Sequence, residues 1–258
     1  MLSFGLAPHA PYTVADDNFV KVLTLAEQCD LPIHVHLHET RQEIENSVQR
    51  YGMRPIERLR KLGLLGPALI AAHGIHLDEH EIALLAQHGC SVAHCPSSNL
   101  KLASGIAPLA RLCEHRVNVG LGSDGAASNN RLDLFQEMRL AALLAKGFSG
   151  QAELVGAHQV LHMATLGGAR ALGLDGQIGS IEIGKSADLC AVDFNDVGLV
   201  PCYDATAMLV YSAGRENVSD VWVAGRNCVS NGILLEAQEI ELINLAALWQ
   251  NQIRPHNV

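Results

Sequence analysis

Histidine is the residue type that stands out: the 258-residue sequence holds 13 of them. Four of these, His9, His36, His73 and His94, fall at or just past the carboxyl ends of short apolar runs, and Asp124 follows a fifth such run. Imidazole and carboxylate are donors that divalent metals accept. The carboxyl ends of parallel strands are also where α/β barrels and open α/β sheets gather their reacting groups. A single histidine at a strand end is more often a hydrogen-bonded structural residue, but five such positions in series point to a site. In His34-Val35-His36-Leu37-His38-Glu39 the strand period of two turns the three imidazoles to one face. His34, deeper in the strand, reads as polar lining. His36 at the strand end, with Glu39 in the following loop, suits a metal ligand beside a carboxylate that relays protons to and from water. His73 comes one strand-helix unit after His36, and Asp124 two units later, the intervening strand ending near His94. The order His, Glu, His, Asp over successive strands is more specific than any one of these residues.

The elements that must hold these groups are legible as an alternation. Apolar runs at 3–7, 31–37, 68–73, 90–95 and 117–122 read as buried strands. Amphipathic stretches at 16–29, 41–62, 78–88 and 105–115 read as helices between them, followed by helices at 132–146 and 157–173 with Gly173 as the expected helix stop. Strand, helix, strand in this order predicts an α/β class with a parallel sheet. After Gly176 the character changes: GQIGSIEIGKSADLCAVD, LVYS and NVSDVWVAGRNCVSNG read as short strands with glycine turns, and Ala224-Gly225-Arg226 suits a tight hairpin. A last helix at 237–252, with apolar Ile240, Ile243, Ala247 and Leu248, is expected to pack back on the body. The organisation expected is therefore 1–175 as an α/β unit, 176–236 as a small β subdomain, and 237–258 as the closing helix.

Composition narrows the function classes. Eighteen basic against 27 acidic residues give a net charge of −9, the wrong sign for a general phosphate-backbone binder, so nucleic acid is not expected as a partner. With 48% hydrophobic and 17% charged residues the chain can bury a real core. No apolar run is long enough to span a bilayer and the first residues lack the charged and apolar regions of a signal peptide, so no membrane association and a cytoplasmic location are expected. The seven cysteines are odd in number and never spaced CxxC, which predicts buried thiols, not a disulfide framework.

On several segments the sequence resembles the amidohydrolase superfamily of (β/α)8 TIM-barrel, metal-dependent hydrolases, in its cytosine/adenosine-deaminase-like branch with the methylthioadenosine/adenosylhomocysteine deaminases and triazine hydrolases. The carrying segments are GLAPHAPY at 5–12, HLHET at 36–40, AHG at 72–74, HCPSSNLKLASG at 94–105, GSDGAASNN at 122–130 and IGSIEIGKSADL at 178–189. The resemblance implies His36 as a metal ligand from barrel strand five, Glu39 as proton shuttle, and His73 as a strand-six histidine assisting at the reacting centre. It implies Asp124 as a strand-eight residue that binds metal and takes the proton of water, with Glu39 and Asp124 also touching substrate. His9 would contact the ribose or thioether side. The cofactor implied is a divalent metal, zinc before iron or manganese, and the substrate a small-molecule purine nucleoside whose adenine ring loses ammonia.

The HxH pair of barrel strand one, a carboxylate and an arginine of that family have no counterpart here. The chain therefore reads as an incomplete barrel, about strands four to eight, with a small β-sandwich subdomain, and a homo-oligomer or another chain could supply the missing strands. Rival readings are the same scaffold acting on guanine, cytosine or an s-triazine, and a non-catalytic fragment or complementing subunit.

Overall fold

The computed structural model describes residues 2–253. Its first unit builds a four-stranded parallel sheet in the order β1-β2-β3-β4, each strand separated from the next by one or two helices. Helix α1 (Asp16–Cys29) ends at Asp30, whose φ of 51 closes it in a left-handed turn. Strand β1 (Ile33–Leu37) follows, with Val35 and Leu37 buried and His34 exposed. The stretch 41–62, expected as one helix, is two: α2 (Arg41–Tyr51) stops at Gly52 with φ 69, and α3 (Pro55–Lys61) restarts on a proline at its first turn. Glycine at a helix stop and proline at a helix start are each in their favoured place.

Strand β2 (Leu69–His73) is buried throughout, α4 (Glu79–Gln87) carries a capping box between Asp78 and Glu81, and β3 (Ser91–His94) leads directly into α5 (Pro96–Lys101). The helix expected over 105–115 is only α6 (Leu109–Glu114), because Gly105 at φ 130 and Pro108 precede it. Strand β4 (Asn118–Leu121), the short α7 (Ala126–Asn129) and α8 (Leu134–Ser149) come next, the last capped by Asp133, which accepts from the Phe135 N–H at 3.0 Å. The stretch 157–173 is interrupted: α9 (Ala157–His162), a π-helical turn (Met163–Gly167) and α10 (Gly168–Ala171), with Gly173 at φ 69 as the expected stop. Phe19, Val35, Leu59, Leu85, Leu112 and Val119 belong to one core between this sheet and its helices.

The strand expected at 3–7 is reduced to a single parallel bridge between Leu6 and Ile33. Pro8 has no N–H to give a ladder, and Gly5 weakens strand pairing. The segment still runs along β1, because the His34 N–H donates to the Leu6 carbonyl at 2.8 Å and the His36 N–H to the His9 carbonyl at 3.1 Å.

The second sheet is antiparallel, β5 (Leu189–Val192), β6 (Val218–Val223), β7 (Arg226–Ser230) and β8 (Ile233–Leu234) in that order. The expected hairpin at Ala224-Gly225 is present with both residues at positive φ, 50 and 79, as a tight two-residue turn requires. LVYS, expected as a strand, instead closes helix α11 (Ala205–Tyr211), since Asp204 caps it by accepting from the Thr206 and Ala207 N–H groups at 2.9 and 3.1 Å. Helix α12 (Glu239–Ile253) does not pack as expected: none of its residues is buried, and Ile240, Leu245, Leu248 and Trp249 are exposed. All seven cysteines are free, yet Cys29, Cys190 and Cys202 are exposed, not buried. No helix among the described residues is long and apolar enough to cross a membrane.

Candidate metal centre

His36, His73 and Asp124 each present a ligand atom within 4.8 Å of the others. They come from the carboxyl ends of β1, β2 and β4, as strand-end positions in a parallel sheet should. Register alone does not explain the meeting. His73 pairs with Leu37, whose side chain is buried in the core, while His36 pairs with Ala72. His73 breaks the pleat with a φ of 73, and its ring lies against that of His36, centroids 5.4 Å apart at 20°. Asp124 likewise has a φ of 59 in the loop after β4. Non-glycine residues in left-handed backbone are uncommon and tend to gather where a site over-determines them.

The far sides of the donors are tied down. The His36 Nδ1–H donates to the His9 carbonyl at 2.7 Å, an acceptor with no proton to give, so Nε2 keeps its lone pair toward the site. His73 Nδ1 meets the Asn99 Oδ1 at 2.8 Å, freeing its own Nε2 in the same way. The Ser98 hydroxyl donates to Asp124 Oδ2 at 2.6 Å, and the Gly125 N–H to Oδ1 at 2.7 Å. Burial pushes the Asp124 carboxyl upward, but these two hydrogen bonds and the nearby His73 outweigh it and hold the group below the usual carboxylate range. Imidazoles whose second nitrogen is anchored, beside a carboxylate kept ionised, are the donor set that divalent metals take. The residues present fit such an ion.

Glu39 stands beside this group, its Oε2 3.9 Å from His73 Nε2, with the Ser104 hydroxyl donating to its Oε1 at 3.3 Å. His9, at the start of the next loop along, is exposed; its ring lies 5.1 Å from that of His36, and its Nδ1 is 2.8 Å from the Thr13 hydroxyl. Tyr12 meets the His9 ring edge-on at 5.7 Å.

Two expectations are corrected. His34, His36 and His38 do not share a face, because His38 lies past the strand with a φ of 56 and turns into the core. There its Nδ1–H reaches the His76 carbonyl at 3.3 Å and its Nε2 accepts the Ile56 N–H at 3.2 Å, and burial drives its pKa down to about 4. His94 ends β3 as expected but does not join the donors. It is sealed, its Nδ1 finds no hydrogen-bond partner among the described residues, and burial with the neighbouring His73 lowers its pKa to about 4.

The sequence reading placed only His36 and Asp124 on the metal; the structure brings His73 equally close to them. It also missed the supporting contacts of Ser98 and Asn99. Their signal was present in the polar SSN triplet at 97–99, in the first turn of the helix that follows β3.

Anchored imidazoles and an ionised carboxylate converging at the carboxyl edge of a parallel, helix-covered sheet define a metal-binding scaffold of the α/β barrel type, present here as an arc of that barrel. The chain belongs to the amidohydrolase family, whose family model matches residues 1–228. It is 44% identical over 253 residues to the 5-methylthioadenosine/S-adenosylhomocysteine deaminase of Teredinibacter turnerae, covering 98% of this chain and 57% of that protein. The enzyme of the same name from Moorella thermoacetica is 48% identical over 237 residues, 91% of this chain and 55% of that one. Among solved structures, an adenosine deaminase from Xanthomonas campestris with bound zinc superposes with a TM-score of 0.96 at 49% identity, over 97% of this chain and 57% of that chain. Atrazine chlorohydrolase from Arthrobacter aurescens in complex with zinc gives 0.90 at 27% identity, over 94% and 54%. The chain thus spans little more than half the length of these relatives.

Proposed function

We propose that this chain forms part of a zinc-dependent hydrolytic deaminase that removes the amino group of the adenine ring in 5-methylthioadenosine or S-adenosylhomocysteine. The observation that carries the reading is the group His36, His73 and Asp124 within 4.8 Å, with the Glu39 carboxylate 3.9 Å from His73. Relatives named for this reaction, at 44% and 48% identity, support the substrate over the triazine class, whose solved member stands at 27%.

His36 and Asp124, with His73 beside them, would hold the ion. When bound, a divalent ion of this kind lowers the pKa of water from about 15.7 toward about 7. Asp124, kept ionised by Ser98 and Gly125, accepts the proton that water gives up as it adds to C6 of the ring. Glu39 delivers its proton to ring N1, takes up the proton of the added hydroxyl as the C6 carbonyl forms and passes it to the departing amine, leaving ammonia and the inosine analogue, and the proton held by Asp124 then returns Glu39 to its acid form. His73, its Nδ1 fixed by Asn99, orients the attacking oxygen with Nε2. His9 meets the ribose or thioether side of the nucleoside from the rim.

Glu39→Gln in the zinc-loaded protein is expected to abolish ammonia release from 5-methylthioadenosine while zinc stays bound, and loss of zinc in parallel would refute the shuttle role. A panel of guanine, cytosine and s-triazines scored by ammonia release separates the substrate classes, and faster turnover of any of these than of the thioadenosine would transfer the reading to that ring.

A further inference from the structure

The carboxylate of Glu43 is almost fully buried, with 4% of the residue exposed, and it makes no ion pair among the described residues. It sits in the first turn of α2, three residues after Thr40, whose hydroxyl accepts the Glu43 N–H at 3.2 Å. Threonine followed three residues on by glutamate is the capping-box pattern, in which the glutamate should reach back to the N–H of the threonine itself. Here the reach extends beyond Thr40, whose N–H also faces the carboxylate: Oε1 accepts the His38 N–H at 3.0 Å and Oε2 the Glu39 N–H at 2.8 Å.

Two consecutive N–H groups held by one carboxylate fix the orientation of two consecutive peptide planes. Those planes flank His38, the residue at φ 56 where the chain leaves the strand. The same corner is held from the other side, since the His38 ring is pinned between the His76 carbonyl and the Ile56 N–H. The Cα of Glu39 is therefore set by buried groups, while its carboxylate projects toward His73 and touches only the Ser104 hydroxyl within hydrogen-bond distance. One buried side chain that accepts from two successive amides holds both at once, so the clamp is stiff where the reacting group needs it.

We propose that Glu43 is a positioning residue for the proton-transfer step: by gripping the backbone of His38 and Glu39 it sets where the Glu39 carboxylate stands, and it contributes to neither metal nor substrate binding. This rests on the deaminase reading and on Glu39 as its proton carrier. Misplacement of a reacting group by about 1 Å can cost roughly a hundredfold in rate.

The test is kinetic, in the full-chain zinc-loaded holoenzyme, with 5-methylthioadenosine as substrate. Glu43→Gln keeps the size of the side chain but offers one acceptor where two are needed and turns an amide N–H toward a backbone N–H. It is expected to lower kcat by about 10- to 100-fold with KM within about twofold and zinc content unchanged. Glu43→Asp, which keeps the charge on a shorter stem, is expected to fall between Glu43→Gln and the parent, and it decides the matter if Glu43→Gln does not fold. Ser47→Ala is the control for a merely structural effect, because Ser47 is buried on the same helix and donates to the Met53 carbonyl at 2.9 Å, away from the site. It is expected to lower the melting temperature and leave kcat alone. The proposal is overturned if the folded Glu43 variants keep the parent kcat, if their loss tracks loss of zinc, or if Ser47→Ala reproduces it. Glu39→Gln run alongside separates the two levels. An active Glu39→Gln enzyme brings down the deaminase mechanism as well, whereas a dead one with unimpaired Glu43 variants brings down only the positioning role.

Discussion

At the scale of single residues, the site is a set of donors whose outer atoms are all spoken for. Ser98 donates to Asp124 and Asn99 faces His73, so under the proposed reading each would act on a bound ion through another side chain. Support of this kind is typically worth 10- to 100-fold in metal affinity. Ser98→Ala is accordingly expected to weaken zinc binding by about tenfold in a competition titration against a chromophoric chelator, and an unchanged affinity would count against the role given to that hydroxyl. His94 raises a different matter, because it is buried without a partner for Nδ1 among the described residues and its pKa is lowered to about 4. The unfolded chain takes up this proton near pH 6.5 and the folded one only near 4, so the unfolded state binds more protons in between. Stability from keeping His94 neutral is complete above about pH 6.5 and drains away as pH falls toward 4, by an amount on the order of 3 kcal/mol. Urea unfolding at pH 7 and pH 5 should show the loss, and His94→Gln should reduce it without abolishing it, because His38, lowered likewise to about 4, supplies a share of the same slope. A parent protein equally stable at both values would contradict the assignment.

At the scale of elements, the sheet and its last helix are joined by glycine. A Cβ on Gly167 would collide with the Val119 carbonyl oxygen, and one on Gly120 would meet the Gly168 Cα at 2.9 Å. The π-helical turn over Met163–Gly167 brings this pair of glycines against β4, the strand that leads to Asp124. Gly167→Ala should destabilise the fold by about 1–3 kcal/mol in urea unfolding, since the displaced atoms are backbone and cannot swing aside. A loss below about 0.5 kcal/mol would show that the helix can shift away from β4 at little cost. How far the elements could be read in advance follows from where their signals lie. Gly52 and Pro55 divide α2 from α3 by local chemistry visible in the sequence, although the amphipathic period runs through both. LVYS reads as a strand by composition and becomes the end of α11 because the Asp204 cap lies five residues before it.

At the scale of the whole molecule, the parallel sheet has two edges. β1 is met on its outer side by the short segment from Leu6 to His9, through the Leu6 bridge and the bond from the His36 N–H to the His9 carbonyl, and β4 is last in the order. His34, an inward position in a closed barrel, is exposed. Helix α12 offers Ile240, Leu242, Ile243, Leu245, Leu248 and Trp249 to solvent. Unpaired strand edges and contiguous apolar surface favour association. A purified chain of residues 1–258 is therefore expected to show a weight-average mass that rises with concentration in sedimentation velocity, and a strictly monomeric boundary at every concentration would contradict it.

What the sequence determined by itself was local: the alternation of apolar runs and amphipathic stretches, the hairpin at Ala224-Gly225, and the placement of His36, His73 and Asp124 at strand ends. Each depends on neighbours a few residues away, through side-chain period, cap chemistry or the conformational freedom of glycine. What only the tertiary structure decided was which of those ends meet and which way they face. Strand pairing across long stretches of chain brought β1 beside β2. Left-handed backbone at three strand ends then turned His73 toward the donors and His38 away from them, and drew Asp124 in. The grip of Glu43 on the Glu39 loop belongs to the same class, for a capping pattern states that a glutamate reaches backward but not how far.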